Sequence, residues 1–154
     1  MIREDIYLNV LREKPSAECV INAIHNAGGI AILAHPYLID PVVRIDKQEV
    51  GRWDYIHLLI DIGLDGIESR YTYNKTTCKD NRKLPEIWAE VEKKAAGRLI
   101  ICVGSDYHAD RKKRVQNPRE LGECGLTMEE FLSVPFFSKL YIKAMDENRQ
   151  SRLG

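Results

Sequence analysis

Three short apolar runs with β-strand composition recur at nearly equal spacing, and this spacing limits the folds open to the chain. They cover residues 30–34, 65–68 and 99–103, so that their starts are separated by 35 and then 34 residues. Such an interval is about the length of a strand, a crossover helix and the connecting turns. Strands joined in this way run parallel, with right-handed crossovers. The spacing therefore predicts an α/β fold built on a parallel sheet.

Helical patterns lie around and between these runs. Before the third run, apolar side chains recur at helical spacing and form one stripe. Its members are Leu84, Ile87, Trp88, Val91 and Ala95. Gly97 follows the stripe and is placed to end that helix. Residues 53–62 predict another helix closed by Gly63, and Ser16 is a suitable N-cap for an earlier helix that ends at Gly28-Gly29.

The last third of the chain is less regular. Residues 105–125 are polar and predict a loop too long to be a simple connection. Thr127 and Glu130 have the spacing of a capping box, which predicts a short helix interrupted near Pro135. The tail after Lys143 is charged, and we expect it to fray.

The composition excludes several functional classes. A chain of 154 residues fits one domain with a hydrophobic core, and its 23 basic and 23 acidic residues cancel. No overall electrostatic field therefore attracts it to nucleic acid or to an anionic membrane. There is no apolar run of membrane-spanning length, and the start, MIREDIYLNV, lacks a signal-peptide pattern. The four cysteines form no CxxC pair, so we expect free thiols in a cytoplasmic protein.

Polar side chains with metal-binding or catalytic potential follow each of the three predicted strands. His35 follows the first strand, Glu68 and Arg70 end the second, and Asp106 and His108 follow the third. In parallel α/β proteins the carboxyl ends of the strands form the functional edge of the sheet. We therefore expect these five side chains to lie at one edge.

The DxH pair formed by Asp106 and His108 carries most of the chemical interpretation. Neutral imidazole and carboxylate are both good ligands for divalent metals, and residues two apart in an extended chain point to the same side. Each of these residues, and His35 as well, also has an explanation that needs no metal. Asp106 can cap the following turn, and His108 and His35 can be histidines in surface turns. Their joint occurrence after two parallel strands favours a metal site.

The remaining candidates have two interpretations each. Glu68 is either an acceptor for a ligating histidine or simply a carboxylate at the end of a strand. Arg70 either clamps a phosphate or forms a surface salt bridge. The basic run at residues 111–114 either attracts an anionic substrate or is only solvated. His25 and His57 lie in predicted helices away from the strand ends and have no assigned role.

Other catalytic motifs do not occur in the sequence. There is no GxSxG elbow, no P-loop and no GxGxxG fingerprint. Cys102 is predicted within a strand, where a thiol is inert as a nucleophile. Tyr71 and Tyr73 lie near the functional edge and are assigned to packing.

The segments GGIAILAHP, GLDGIES and ICVGSDYH resemble, in this order, the later motifs of the PHP family, the polymerase and histidinol phosphatase domains. The resemblance covers residues 16–126 and is greatest to the stand-alone phosphoesterases of that family. It implies part of a distorted (β/α)7 barrel with up to three divalent metal ions (Mn, Zn, Fe or Mg) at its C-terminal face. The implied reaction is metal-dependent hydrolysis of a phosphorylated small molecule or nucleotide.

The resemblance also assigns individual residues. His35 matches the histidine of the AHP motif, and Asp106 and His108 match the DxH motif, so all three are implied as metal ligands distributed over different metals. Glu68 matches a position that is often acidic, and Arg70 has no match.

The chain departs from the family because it contains only four histidines and no HxH motif. It therefore resembles a C-terminal half, with residues 1–15 ending the preceding segment, 16–126 carrying the core motifs and 127–154 forming a helical tail. We expect little turnover by this chain alone, and either a homo-oligomer or pairing with the missing N-terminal half. Two alternatives stay open: a non-catalytic remnant that binds a metal, a phosphate or a partner, and a metal-dependent hydrolase of another bond.

Overall fold

The computed structural model of the chain describes residues 14–108 and 118–151. In chain order the elements are α1 (Ala17–Asn26), β1 (Ile32–Leu33), β2 (Val42–Ile45), β3 (Gln48–Gly51), α2 (Arg52–Asp61), β4 (Gly66–Arg70), α3 (Leu84–Ala95), β5 (Ile100–Val103), α4 (Met128–Ser133) and α5 (Pro135–Ser151). Short 3₁₀ turns cover Pro36–Leu38 and Tyr73–Lys75.

A three-stranded parallel sheet with the order β1-β4-β5 forms the centre of the fold. In this sheet Gly66 of β4 lies opposite Ile32 of β1 on one side and Ile100 of β5 on the other. The three strands are the three predicted apolar runs, with boundaries shifted by at most two residues. The prediction of an α/β fold with a parallel sheet is therefore confirmed.

The core lies where β4 meets α2, α3 and an aromatic cluster. Its buried members are Tyr37, Ile56, Ile67, Tyr71, Tyr73, Ile87, Val91 and Ala95. Three of these are the inward positions of the predicted α3 stripe, and they are fully buried because that stripe packs against the sheet. The core thus fixes β4 and the segment that follows it, which carries the functional edge.

The predicted helix ends are also present. The Ser16 hydroxyl accepts a hydrogen bond of 3.2 Å from the Cys19 amide at the start of α1. Thr127 and Glu130 form both hydrogen bonds of a capping box at the start of α4. Val134 is extended and separates α4 from α5. The expectation that the tail frays after Lys143 was wrong for its described part, since α5 continues to Ser151.

An antiparallel hairpin of β2 and β3 was not predicted from the sequence. Val42 lies opposite Gly51, and the turn between the strands has Asp46 and Lys47 at φ 46° and 71°. Such turns usually contain glycine, because glycine alone adopts positive φ without steric cost. An Asp-Lys turn therefore gives no hairpin signal.

All four cysteines are free, as expected. None of the helices within the two described ranges combines the length and the apolar character needed to cross a bilayer.

Candidate functional site

The carboxyl ends of β1, β4 and β5 lie at one edge of the parallel sheet, and the predicted site residues follow them. His35 follows β1, Glu68 and Arg70 belong to the end of β4, and Asp106 and His108 come after β5. The strands that lead to His35 and Asp106 are not neighbours. They are the two outer strands, and β4 lies between them.

The DxH pair lies after the end of β5, in a segment that is not regular strand. Asp106 has a left-handed backbone, with φ 51°, and β5 already ends at Val103. The extended conformation assumed for this motif is therefore not the one present. The two side chains nevertheless face each other, with 3.1 Å between His108 Nε2 and Asp106 Oδ1.

Tyr71 joins this pair to the core. Its hydroxyl donates a hydrogen bond of 2.8 Å to Asp106 Oδ2, and its ring is buried against Tyr73 and His35 at centroid distances of 5.0 and 5.1 Å. Burial, together with the adjacent Asp106 carboxylate, raises the pKa of Tyr71 to about 12. The hydroxyl therefore stays protonated and remains a donor at neutral pH. Sequence reasoning had assigned this tyrosine to packing alone.

Asp106 is held in its ionised form. Burial favours the neutral acid, but the Tyr71 hydroxyl, a nearby arginine, Arg119, and the two histidines His108 and His35 together lower the pKa of Asp106. An ionised carboxylate is the form that binds a metal ion.

Glu68 fixes the backbone of His35. The His35 amide donates a hydrogen bond of 2.7 Å to Glu68 Oε2, and His35 itself has φ 33° and ψ 63°. Glu68 is thus an acceptor for His35, one of the two roles that the sequence left open for it, and it accepts from the main chain. Burial raises the pKa of Glu68, and the charge of Asp106 adds to this. The carboxylate fits because residue 104 is glycine: a Cβ at Gly104 would overlap Glu68 Oε1.

Arg70 forms a salt bridge, which is one of the two roles that the sequence left open for it. Its Nη2 lies 2.5 Å from Glu130 Oε1, in the capping box of α4. Arg70 therefore joins the central strand to the C-terminal helices. The basic run at residues 111–114 lies outside the described residues.

Arg119 belongs to the site, although sequence reasoning did not identify it. Its Nη2 donates a hydrogen bond of 2.9 Å to the Tyr71 hydroxyl, and its Nε lies 3.8 Å from Asp106 Oδ2. No local pattern marks this residue, because the groups that it contacts, Tyr71 and Asp106, lie far from it in the sequence.

The donor set suits a divalent metal in part. Across residues 14–108 and 118–151, no three His, Cys, Asp or Glu side chains are grouped to hold one ion. Asp106 Oδ1 and His108 Nε2, however, are 3.1 Å apart. Two ligands of one ion, each at ~2.1 Å and separated by an angle of ~90–109°, stand ~3.0–3.4 Å apart. The distance is that of the ion pair between the two side chains, and it is also compatible with two positions of a metal site.

Comparisons with protein-family models, with curated proteins and with solved structures found no match to this chain.

Proposed function

We propose that this chain carries part of the metal site of a PHP-type, metal-dependent phosphoesterase. His35, Asp106 and His108 would be the ligands, and the three parallel strands would belong to the distorted (β/α)7 barrel of that family. The observation that supports this proposal is the arrangement of Asp106, whose two carboxylate oxygens lie 2.8 Å from the Tyr71 hydroxyl and 3.1 Å from His108 Nε2.

Backbone strain at the site gives further support. His35 and Asp106, on opposite sides of β4, are two of the five non-glycine residues with positive φ in the described part of the chain, at 33° and 51°. For residues other than glycine such conformations cost ~1–3 kcal/mol, and they cluster at functional sites. The Tyr71 hydroxyl and the Glu68 carboxylate hold these two residues in place. Glu68 lies on β4, and Tyr71 follows this strand directly. Both side chains thus hold predicted metal ligands in position from the core, as hydrogen-bond partners of metal ligands commonly do.

A divalent ion bound here would lower the pKa of a coordinated water and polarise a phosphoryl oxygen. Asp106, His108 and His35 would supply ligands to such ions. Closely spaced ions repel one another and need a full set of ligands. We therefore expect this chain alone to bind a metal but to hydrolyse p-nitrophenyl phosphate or a nucleotide at close to the background rate. Self-association of the chain also stays a prediction.

Equilibrium binding of Mn²⁺, measured by titration calorimetry and by the electron paramagnetic resonance of the free ion, tests the proposal. Replacing His108 with alanine should weaken binding by at least ~10-fold. The matched control is His57→Ala, on α2, which should leave the affinity unchanged. The proposal fails if the unsubstituted chain binds neither Mn²⁺ nor Zn²⁺, or if the two variants bind equally well.

A further inference from the structure

Arg119 is a largely buried cation inside the candidate site. Its side chain is only 12% exposed, and its guanidinium carbon lies 5.1 Å from the centroid of the Tyr71 ring. Its Nη2 donates to the Tyr71 hydroxyl, which in turn donates to Asp106. The guanidinium is thus held in one orientation beside the predicted ligand pair.

One donor of this guanidinium lacks an acceptor. Arg119 Nε is buried and makes no hydrogen bond within the described residues. Asp106 Oδ2, at 3.8 Å, is too distant to accept one. A buried charged donor without an acceptor is unfavourable, so this Nε calls for an acceptor that is either an ordered water or an atom of a bound ligand. The missing group must therefore be a hydrogen-bond acceptor that reaches the site from outside the described residues.

The charges of the site narrow the choice of acceptor. A guanidinium matches the oxygens of phosphate or carboxylate groups through two parallel donors. An anion beside Asp106 is repelled by that carboxylate, unless a cation neutralises Asp106 first. We propose that Arg119 binds the phosphoryl oxygens of the substrate, and that it does so only when a divalent cation occupies Asp106. This inference rests on the proposed function and names the group that would recognise its substrate.

Binding of the anion and of the cation are then linked. Because each favours the other, Mn²⁺ raises the affinity for phosphate by the same factor by which phosphate raises the affinity for Mn²⁺. If Arg119 is merely the counter-ion of Asp106, a different result is expected. Replacing Arg119 then raises the affinity for Mn²⁺ and leaves phosphate binding unchanged.

The test is calorimetric titration with inorganic phosphate, with and without saturating Mn²⁺. Arg119→Gln should weaken Mn²⁺-dependent phosphate binding by at least ~10-fold. The matched control is Arg98→Gln, which changes an exposed arginine just before β5, at the opposite end of that strand, and should bind as the unsubstituted chain does.

Unchanged phosphate binding by Arg119→Gln overturns the inference, as does Mn²⁺ binding by the unsubstituted chain without any phosphate binding. In both cases the proposed metal site stands. A chain that binds no divalent metal overturns both proposals.

A second measurement avoids the variants, in case Arg119→Gln does not fold. Phenylglyoxal modifies arginine side chains, and peptide mass spectrometry reports the rate at each one. In the unsubstituted chain, Mn²⁺ and phosphate together should protect the Arg119 peptide, whereas either alone should protect it less. Equal modification rates with and without the two ions would overturn the assignment of Arg119.

Discussion

The Tyr71 hydroxyl donates a hydrogen bond of 2.8 Å to Asp106 Oδ2 and so joins the buried core to the candidate metal site. Tyr71 follows β4 directly, and its side chain is almost fully buried. The position of Asp106 therefore depends on packing in the core as well as on its own loop.

Replacing Tyr71 with phenylalanine should weaken Mn²⁺ binding by ~10–100-fold, the usual cost of removing a group that orients a metal ligand. The variant keeps the buried ring, so we expect the free energy of unfolding to fall by only about 1 kcal/mol. Calorimetry measures the affinity, and urea unfolding followed by circular dichroism measures the stability. Tyr141→Phe, on the exposed side of α5, is the control. Equal Mn²⁺ affinities of both variants would contradict the role of Tyr71.

Regular elements of this fold were predictable wherever local chemistry determines them. The apolar stripe of α3 has helical spacing and faces the core, so the pattern and the packing agree. Ser16 and the Thr127 capping box satisfy free amide groups within a few residues of themselves, so short-range hydrogen bonding defines those helix starts. Each of these features depends on residues close together in the sequence.

Features that depend on distant residues were not predictable in the same way. The sequence located His35, Asp106 and His108 at the strand ends, but it could not give the order of the strands, which places β4 between them. It also could not show that the Arg119 guanidinium reaches Tyr71, 48 positions away in the chain. Both facts follow from how segments far apart in the sequence pack together.

Gly104 and Glu68 should be coupled in their effect on stability. A methyl group at position 104 overlaps Glu68 Oε1, while the other oxygen of Glu68 accepts the hydrogen bond from His35. Gly104→Ala should therefore displace Glu68 and lower the free energy of unfolding by ~1–3 kcal/mol. In the Glu68→Ala background the same change should cost at least ~1 kcal/mol less. Urea unfolding of the four proteins measures this coupling, and strictly additive effects would contradict the steric explanation.

Cys102 should react far more slowly than Cys19. Burial and the charge of Glu68 raise the pKa of Cys102 to about 12, whereas Cys19 is exposed on α1. At pH 8 only roughly one Cys102 thiol in 10⁴ is then a thiolate, the form that reacts. Iodoacetamide labelling followed by peptide mass spectrometry should find Cys19 modified first and Cys102 modified only in denaturant. Comparable labelling rates in the folded chain would contradict the inert character of the strand cysteine.

Asp65 should stabilise the amino end of the sheet in a pH-dependent way. Its Oδ2 accepts a hydrogen bond of 2.7 Å from the Ala31 amide and lies 2.7 Å from His25 Nε2. Burial opposes ionisation, but the Ala31 amide and the His25 ring together hold the pKa of Asp65 below its ordinary value of 3.8. A carboxyl group with a lower pKa in the folded state than in the unfolded state stabilises the fold when it is ionised. Its contribution is thus complete above about pH 4 and is lost as the pH falls through the folded-state pKa.

Asp65→Asn should therefore lower the free energy of unfolding at pH 7 by about 1–2 kcal/mol, as expected for a hydrogen bond to a charged group. The difference from the unsubstituted chain should shrink as the pH falls below about 4, because Asp65 is then protonated first in the unfolded state and, at lower pH, also in the folded state, where it resembles asparagine. The control is Asp61→Asn at the end of α2, whose side chain is 70% exposed and 4.0 Å from Arg98, and which should change stability little at any pH. Thermal unfolding at several pH values measures both variants. A destabilisation by Asp65→Asn that is as large at pH 3 as at pH 7 would show that the carboxylate charge is not what stabilises this end of the sheet.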